Sequence, residues 1–189
     1  MSVIILDGAT GTMFQKAGMQ PGQDTTQFAY ENPEVVEELQ RAYVEAGSDA
    51  ITAPTFNLNR EKVAAMGAGL DEIIRRLTAP SIKVREEAIE QGKAVIVGLD
   101  VGPQGELLEP MGTKTFEEAL DFYAEMMKCG ADAGVDFIII ETMTDLYETK
   151  AAVLAAKENT DLPVWVTMTF EATGRTFVGV TVPAMALTL

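Results

Sequence analysis

Acidic residues follow or end four short apolar runs of this sequence, and such positions are where parallel α/β proteins place their sites. Asp7 follows residues 3–6, Asp100 follows 94–99, Glu141 ends 136–141 and Glu171 follows 164–170. The carboxyl ends of parallel strands share one edge, so we expect these acids to lie around one mouth. A carboxylate beside buried aliphatic groups is unfavourable unless a cation or hydrogen-bond donors meet it. Asp7 and Glu141 would suit an ammonium group, while an internal salt bridge or a helix cap is the alternative for Glu141.

A glycine-containing loop follows the first apolar run directly and reads Asp7-Gly8-Ala9-Thr10-Gly11-Thr12. Its glycines allow a close approach to a ligand or a tight turn. Their spacing is not that of the dinucleotide fingerprint, and no lysine follows as it does in a phosphate-binding P-loop. The loop therefore predicts either ligand contact or a structural turn.

The other polar candidates have ordinary structural interpretations. Thr55 and Asn57 follow Pro54, which cannot donate to a strand ladder and is expected at the rim. Their side chains could bond a ligand, but we favour bonds to local backbone. Cys129 is expected to pack as a small apolar residue. The chain has no histidine to activate Cys129 as a nucleophile, and one cysteine without histidine cannot supply the ligands of a tetrahedral zinc site.

The elements that must position these groups alternate between strands and helices. Five runs rich in valine and isoleucine predict parallel strands covered on both faces, at residues 3–6, 49–53, 94–99, 136–141 and 164–170. No repeat or low-complexity segment interrupts them, so we expect one domain over residues 1–189. Five βα units fit either a complete doubly wound sheet or the first five-eighths of a (β/α)8 barrel.

Helix signals lie between the predicted strands. They predict helices from Pro33 to Gly47, over 70–91, from Thr115 toward Gly134, over 145–159 and from Pro183 onward. Pro80 should break or restart the second of these helices. Asp145 and Glu148 form a capping-box-like pair at the start of the fourth. No helix-stop signal precedes Leu189, so we expect the sequence to end inside an element.

Composition and charge exclude several classes of protein. The 189 residues are 47% apolar and 23% charged, which excludes a disordered chain. A net charge of −15 repels nucleic acid and anionic lipid. No apolar run approaches the roughly 20 residues that span a bilayer. The single cysteine, and an opening segment without the basic flank and apolar core of a signal peptide, predict a cytoplasmic protein.

Taken together and in order, several segments resemble the homocysteine S-methyltransferases. They are Leu6-Asp7-Gly8-Ala9-Thr10-Gly11-Thr12, Thr55-Phe56 with Asn59-Arg60, Phe137-Ile138-Ile139-Ile140-Glu141-Thr142-Met143-Thr144-Asp145, and Thr167-Met168-Thr169-Phe170 with Gly174-Arg175-Thr176. Within the family, the chain resembles the N-terminal homocysteine-binding module of cobalamin-dependent methionine synthase. The resemblance implies an α/β fold of the (β/α)8 TIM-barrel type, truncated after about five βα units. It also implies homocysteine as substrate, bound at the carboxyl-end mouth, and a zinc ion that activates its thiol.

The same resemblance implies which residues bind substrate. Asp7 and Glu141 match acids that receive the amino group of homocysteine. The loop residues Gly8, Ala9, Thr10, Gly11 and Thr12 match backbone that lines its amino-acid end, and Thr55 lies in a further matching segment. Backbone N–H groups of a glycine loop suit a carboxylate, and two carboxylates suit an ammonium group.

Departures from the family pattern limit the expected activity. The family's zinc thiolates lie in Gly-x-Asn-Cys and Gly-Gly-Cys-Cys segments that this sequence does not contain, and its Thr-Asn-Thr-Phe segment is here Ala53-Pro54-Thr55-Phe56. A thiol with a pKa of about 8.5 is only slightly ionised at neutral pH without a metal. We therefore expect a methyltransferase module that is inactive alone and whose methyl donor is corrinoid- or folate-bound. Its open strand edges predict self-association or a partner chain that completes the barrel.

Two other functions stay open at this point. One is an amino-acid-binding or scaffold protein that keeps the pocket without catalysis. The other is an unrelated α/β enzyme whose strand-end acids hold magnesium, which carboxylates suit. Binding of homocysteine in the presence of a chelator would favour the first of these. Stabilisation by magnesium but not by homocysteine would favour the second.

Overall fold

A computed structural model describes residues 3–189 and contains one parallel sheet. Its four strands within this range are hydrogen-bonded in chain order: β1 (Ala50–Ala53), β2 (Ile96–Val101), β3 (Phe137–Met143) and β4 (Val164–Met168). Strands whose neighbours follow chain order throughout are typical of a barrel, whereas a doubly wound sheet reverses its order at a switch point. The topology therefore favours the barrel over the doubly wound alternative. Met1 and Ser2, the start of the predicted domain, lie outside the described residues.

The described residues also form eight helices. They are α1 (Gly11–Lys16), α2 (Thr25–Glu31), α3 (Pro33–Ala46), α4 (Arg60–Met66), α5 (Leu70–Glu90), α6 (Phe116–Ala133), α7 (Leu146–Asn159) and α8 (Val182–Thr188). The predicted long helices correspond to α3, α5, α6 and α7, and the last predicted helix to α8. The short helices α1, α2 and α4 were not predicted, because six or seven residues give little periodicity. Over residues 3–189 we find no helix with the length and apolarity to cross a membrane.

The predicted first strand, residues 3–6, is not a regular strand, and we call it the edge segment. Leu6 forms an isolated parallel bridge with Ala50. The Ile5 carbonyl accepts the N–H groups of Asp49 and Ala50 at 2.8 and 3.1 Å. The segment pairs with β1 only, and its apolar side chains are 40% to 82% exposed. Pairing on one side without cover does not sustain a regular strand. The sheet therefore has four strands and one paired segment instead of five strands.

Pro80 does not break α5, so that prediction is wrong. The helix is continuous from Leu70 to Glu90, although proline lacks an N–H and its ring crowds the carbonyl four residues earlier. Helix α5 packs against α3, α6, β1 and β2. Its buried side chains include Ile73, Ile74, Leu77 and Val84. Burying such a side chain contributes about 1.5–3 kcal/mol, so together they outweigh the roughly 3 kcal/mol that an interior proline costs.

The two faces of the sheet bury different sets of residues. Ile51, Val97, Leu99, Ile138 and Ile140 belong to the large core beneath the helices. On the opposite, inner face, Ala50, Phe137 and Ile139 pack with Ile96 and Trp165. Gly98 leaves room for the Phe137 ring, because a Cβ there would lie 2.4 Å from that ring. Side chains alternate along a strand, so Asp100 and Glu141 share the inner face with Phe137.

Candidate functional site

Three of the four strand-end acids lie together at the carboxyl edge of the sheet. Asp100 and Glu141 line a cavity of about 170 Å³. Asp7 is close enough that its charge acts on Asp100. The cavity is also lined by Thr10, Gly11, Thr25, Thr26, Pro54, Phe56 and Asn57. We call Asp7, Asp100 and Glu141 the acid pocket.

Glu171 does not line this cavity, contrary to the expectation that all four acids gather at one mouth. Strand β4 ends at Met168, before Glu171. The Glu171 side chain is exposed, and its N–H donates to the Arg175 carbonyl at 2.8 Å. A turn beyond the strand end therefore carries this acid away from the sheet edge.

Asp7 is held in place by β1. Its carboxylate accepts the Thr52 N–H at 2.9 Å and the Thr52 hydroxyl at 3.3 Å. Gln40 fixes the same strand by donating its side-chain amide to the Thr52 carbonyl at 2.7 Å. Burial raises the pKa of Asp7 to about 6, against the hydrogen bonds from Thr52, which lower it. A carboxyl group with a pKa near neutrality responds strongly to an approaching cation.

Asp100 is the most buried member of the acid pocket, with 8% of its surface exposed. Its Oδ1 has no hydrogen-bond partner among the described residues. Thr55 fixes its backbone, since the Thr55 hydroxyl donates to the Asp100 carbonyl at 2.7 Å and accepts the Asp100 N–H at 3.1 Å. Burial, and then the charges of Glu141 and Asp7, raise the pKa of Asp100 well above its ordinary value. The sequence identifies Asp100 as a strand-end acid, but only the structure shows that it is more buried than Asp7 and Glu141.

Glu141 lies at an irregularity of β3. The register between β3 and β4 shifts between Ile140 and Met143. Thr142 has a φ of 57°, in the left-handed region, and its N–H donates to the Thr167 hydroxyl at 3.1 Å. Such irregularities re-aim a neighbouring side chain and occur next to functional sites. Burial raises the pKa of Glu141. Glu141 takes part in none of the ion pairs formed within residues 3–189. The alternative that Glu141 forms an internal salt bridge therefore does not hold for the described residues.

The predicted loop residues nearest α1 differ in their exposure. Thr10 occupies the N-cap position of α1 and Gly11 begins the helix. Both line the cavity. Thr12 is exposed on the first turn of α1 and does not line it. Thr10 and Gly11 are therefore the loop residues that face the acid pocket.

Gly8 and Ala9 are held from the outside by Tyr43. The Tyr43 hydroxyl donates to the Ala9 carbonyl at 2.9 Å. A Cβ at Gly8 would lie 2.9 Å from that hydroxyl oxygen, so glycine permits this close contact. Tyr43 was not found from the sequence, because its contact joins residues far apart in the chain. It fixes the path of the backbone that leads to Thr10.

Thr55 and Asn57 have different surroundings. Thr55 is fully buried, and its hydroxyl is occupied by the Asp100 backbone. A contact between Thr55 and a substrate stays a prediction, while its observed contacts position Asp100. Asn57 lines the cavity and donates to the Thr25 hydroxyl at 2.9 Å.

Glu148 does not act as a capping residue. The Asp145 side chain accepts the Tyr147 N–H at 2.8 Å and caps α7 as predicted. Glu148 is instead buried, and its Oε1 accepts the Gln104 N–H at 2.8 Å and the Tyr123 hydroxyl at 2.9 Å. Burial raises the pKa of Glu148. The predicted capping pair is therefore wrong for Glu148, which connects α7 to the loop after β2.

The described residues do not fit a zinc site. The chain has no histidine, and its one cysteine is Cys129 on α6. Cys129 packs against the core as expected, and burial raises the pKa of its thiol. It does not line the cavity. Residues 3–189 contain no group of three His, Cys, Asp or Glu side chains that could hold a metal ion.

Comparison with known proteins identifies a family and several relatives. A family model for homocysteine S-methyltransferase matches residues 4–189. The chain is 30% identical to a methionine synthase of Mycobacterium tuberculosis, covering 94% of this chain and 16% of that protein. It is 27% identical to the homocysteine S-methyltransferase YbgG of Bacillus subtilis, covering 87% of this chain and 58% of that protein. The chain thus spans less than two thirds of the length of these relatives.

Solved structures give the same fold. The homocysteine methyltransferase MmuM of Escherichia coli, in its metallated form, matches with a TM-score of 0.86 at 21% identity over 98% of this chain and 70% of that one. The apo form matches with a TM-score of 0.80 and 21% identity over 100% and 68%. The predicted partial TIM barrel is therefore confirmed, and the chain covers about two thirds of the length of these barrels.

Proposed function

Because the chain belongs to the homocysteine S-methyltransferase family, we propose that it binds homocysteine in the acid pocket as the homocysteine-binding module of a methyltransferase. The observation that carries this proposal is that Asp7 and Glu141 meet at one edge of the sheet without a basic partner in the described chain. Buried carboxylates without a cation are unfavourable. The ammonium group of an amino acid would supply that cation.

The rest of the cavity fits the other end of an amino acid. Thr10 and Gly11 line it beside Glu141, and we assign them to the substrate carboxylate. Gly8 and Ala9 support this loop through Tyr43. The side chain of the substrate then extends from the strand ends into the mouth of the barrel, where a methyl donor can approach.

We infer that this chain by itself does not transfer a methyl group. In the reaction, the sulfur of homocysteine loses its proton and forms a bond to the methyl carbon as the bond to the donor breaks. A thiol with a pKa of about 8.5 is largely protonated at pH 7. The residues of this chain bind and orient the amino-acid end, but they offer no histidine or cavity cysteine to activate the thiol. We propose a corrinoid- or folate-bound methyl donor, and activity that requires groups beyond these residues.

We also propose that the edge segment is covered by a second copy or by a partner chain that extends the barrel. Val3 is 82% exposed and Ile5 is 56% exposed, on a segment that pairs with β1 alone. Exposed apolar edges of this kind favour association. Light scattering at micromolar concentration should detect a species larger than 20.4 kDa, and a strictly monomeric chain would contradict this proposal. We place the protein in the cytoplasm.

The function is tested by calorimetric titration of the 189-residue chain with homocysteine, under reducing conditions and with a chelator. We expect saturable binding, and Glu141→Gln should weaken it about 10- to 100-fold through loss of a charged hydrogen-bond partner. Asp161→Asn is the matched control, because Asp161 is exposed and makes no side-chain hydrogen bond or ion pair in the described chain. Failure of the wild-type chain to bind would refute the assigned pocket. Methyl transfer by the isolated, metal-supplemented chain at an appreciable rate would refute the inferred inactivity.

The two alternative functions fare differently. Membership of the methyltransferase family excludes an unrelated magnesium enzyme. An amino-acid-binding protein without catalysis uses the same acid pocket, so homocysteine binding alone does not separate it from a methyltransferase module. The chain can be mixed with a polypeptide that carries the zinc-ligand segments of the family. Methyl transfer by this mixture would favour the methyltransferase module.

A further inference from the structure

Asp100 has a property that the proposed contacts of Asp7 and Glu141 do not explain. Its side chain is more than nine-tenths buried, lines the cavity, and leaves Oδ1 without a partner among residues 3–189. Buried polar atoms nearly always have a hydrogen-bond partner, and an orphaned one loses its hydration without compensation. Because Asp100 lines the cavity, this oxygen lacks a partner next to a space that a ligand with a hydrogen-bond donor can occupy.

The surroundings of Asp100 define the charge of that ligand. The charged groups that act on it are Asp7, from the loop after the edge segment, and Glu141, from β3, and both are acids. The ion pairs made within the described residues do not include any of the three. Asp100 and Glu141 line the cavity, and Asp7 lies close enough for its charge to act on Asp100, so the site attracts a cation. The described residues contain no group of three His, Cys, Asp or Glu side chains that could hold a metal ion, which favours a cation with N–H donors.

We propose that Asp100 is a third acceptor for the substrate's primary ammonium group, together with Asp7 and Glu141. This inference rests on the proposed function and extends it to a residue that the family resemblance did not assign. A primary ammonium has three N–H donors, and each of the three acids can accept one of them. The pocket would then select a primary amine, because an N-methylated amino acid leaves one carboxyl group without a donor.

Thr55 acts as a positioning residue in this arrangement. Its hydroxyl both donates to and accepts from the backbone of Asp100, at 2.7 and 3.1 Å. These two bonds fix the end of β2 and with it the direction of the Asp100 side chain. The buried hydroxyl of Thr55 thereby has a role in the site through Asp100.

A protonation change accompanies this role. Burial and two neighbouring acids favour the neutral form of Asp100 in the empty pocket. An ammonium group favours the carboxylate, so binding of the ligand and release of protons to the buffer should be coupled. Asp7 and Glu141 also face the ligand and contribute to the release, so the part that belongs to Asp100 is the difference between the wild type and Asp100→Asn.

The test is calorimetric titration of the wild-type chain, Asp100→Asn and the control Asp161→Asn with homocysteine at pH 7, in two buffers of different ionisation heat. We expect Asp100→Asn to bind about 10- to 100-fold more weakly and to release fewer protons than the wild type, while Asp161→Asn matches the wild type. Thermal unfolding of each variant checks that it is folded. N-methylation of homocysteine should weaken binding to the wild type more than binding to Asp100→Asn.

The outcomes separate this inference from the proposed function. If the wild type binds homocysteine and a folded Asp100→Asn binds equally well, the role of Asp100 is refuted and the proposed function stands. If the wild type does not bind, both are refuted. If Asp100→Asn does not fold, Asp100→Ala takes its place, because it also removes the carboxyl group, and binding by a folded Asp100→Ala equal to that of the wild type would refute the role of Asp100.

Discussion

Replacing Asp7 by asparagine should make this protein more stable at neutral pH while it weakens the binding of an ammonium ligand. Burial raises the pKa of Asp7 from 3.8 to about 6. This is about two pKa units, or about 3 kcal/mol of stability at about 1.4 kcal/mol per unit. Asparagine has nearly the same shape and can still accept the Thr52 N–H, but it carries no charge.

The direction of the pH dependence follows from proton binding. Between pH 4 and pH 6 the folded chain binds a proton at Asp7 that the unfolded chain has released. The contribution of Asp7 to the free energy of unfolding is therefore fully present below about pH 4 and is lost as pH rises to about 6. Asp7→Asn should show no such loss. At pH 7 it should be more stable than the wild type by up to about 3 kcal/mol, less the weakening of its bonds to Thr52.

Urea unfolding at pH 4, 5, 6 and 7, followed by circular dichroism, measures this difference. Asp100 and Glu141 also contribute to the pH dependence of the wild-type free energy of unfolding. Their pKa values are raised too, so they act in the same direction as Asp7. The difference between the wild type and Asp7→Asn therefore reports Asp7 together with the effect of its charge on Asp100 and Glu141. Asp161→Asn should follow the wild type at every pH. The reasoning is refuted if Asp7→Asn is less stable than the wild type at pH 7, or if the two stabilities change in parallel between pH 4 and pH 6.

Further variants test the contacts that shape the site, and urea unfolding measures each of them. Glu148→Ala leaves the buried Gln104 N–H without an acceptor and should lower the free energy of unfolding by about 3 kcal/mol. Glu148→Gln keeps an acceptor oxygen and should lower it by less than about 1 kcal/mol. Equal losses in the two variants would contradict the contact. Thr142→Gly relieves a left-handed φ of 57° and should stabilise the chain by about 1 kcal/mol, and a loss of stability would argue against strain at this position. Tyr43→Phe removes the hydroxyl that holds the glycine loop and should cost about 1 kcal/mol, together with a weaker affinity for homocysteine that calorimetry would detect; an unchanged affinity would show that the loop keeps its path without this bond.

Local signals in the sequence were sufficient for most elements of the fold. The start of α6 is an example, because Thr115 and Glu118 form a capping box whose partners are three residues apart. Likewise, Gly47 ends α3 in a left-handed conformation that glycine readily adopts. Continuous apolar runs marked β1 to β4, since strands buried on both faces do not alternate. The acids at the strand ends followed from the same pattern.

Contacts between distant residues decided the rest, and no local signal contains them. Packing on several sides keeps α5 continuous through Pro80, while the edge segment, equally apolar, has one neighbour and stays irregular. Glu148 has the spacing of a capping residue but meets Gln104 and Tyr123 in the interior. Four acids follow or end an apolar run in the sequence, and only the tertiary structure shows that Asp100 has a buried oxygen without a hydrogen-bond partner among the described residues. The sequence thus determined which residues stand at the strand ends, and the tertiary structure determined their burial and neighbours, because desolvation and charge act through space and depend on the whole fold.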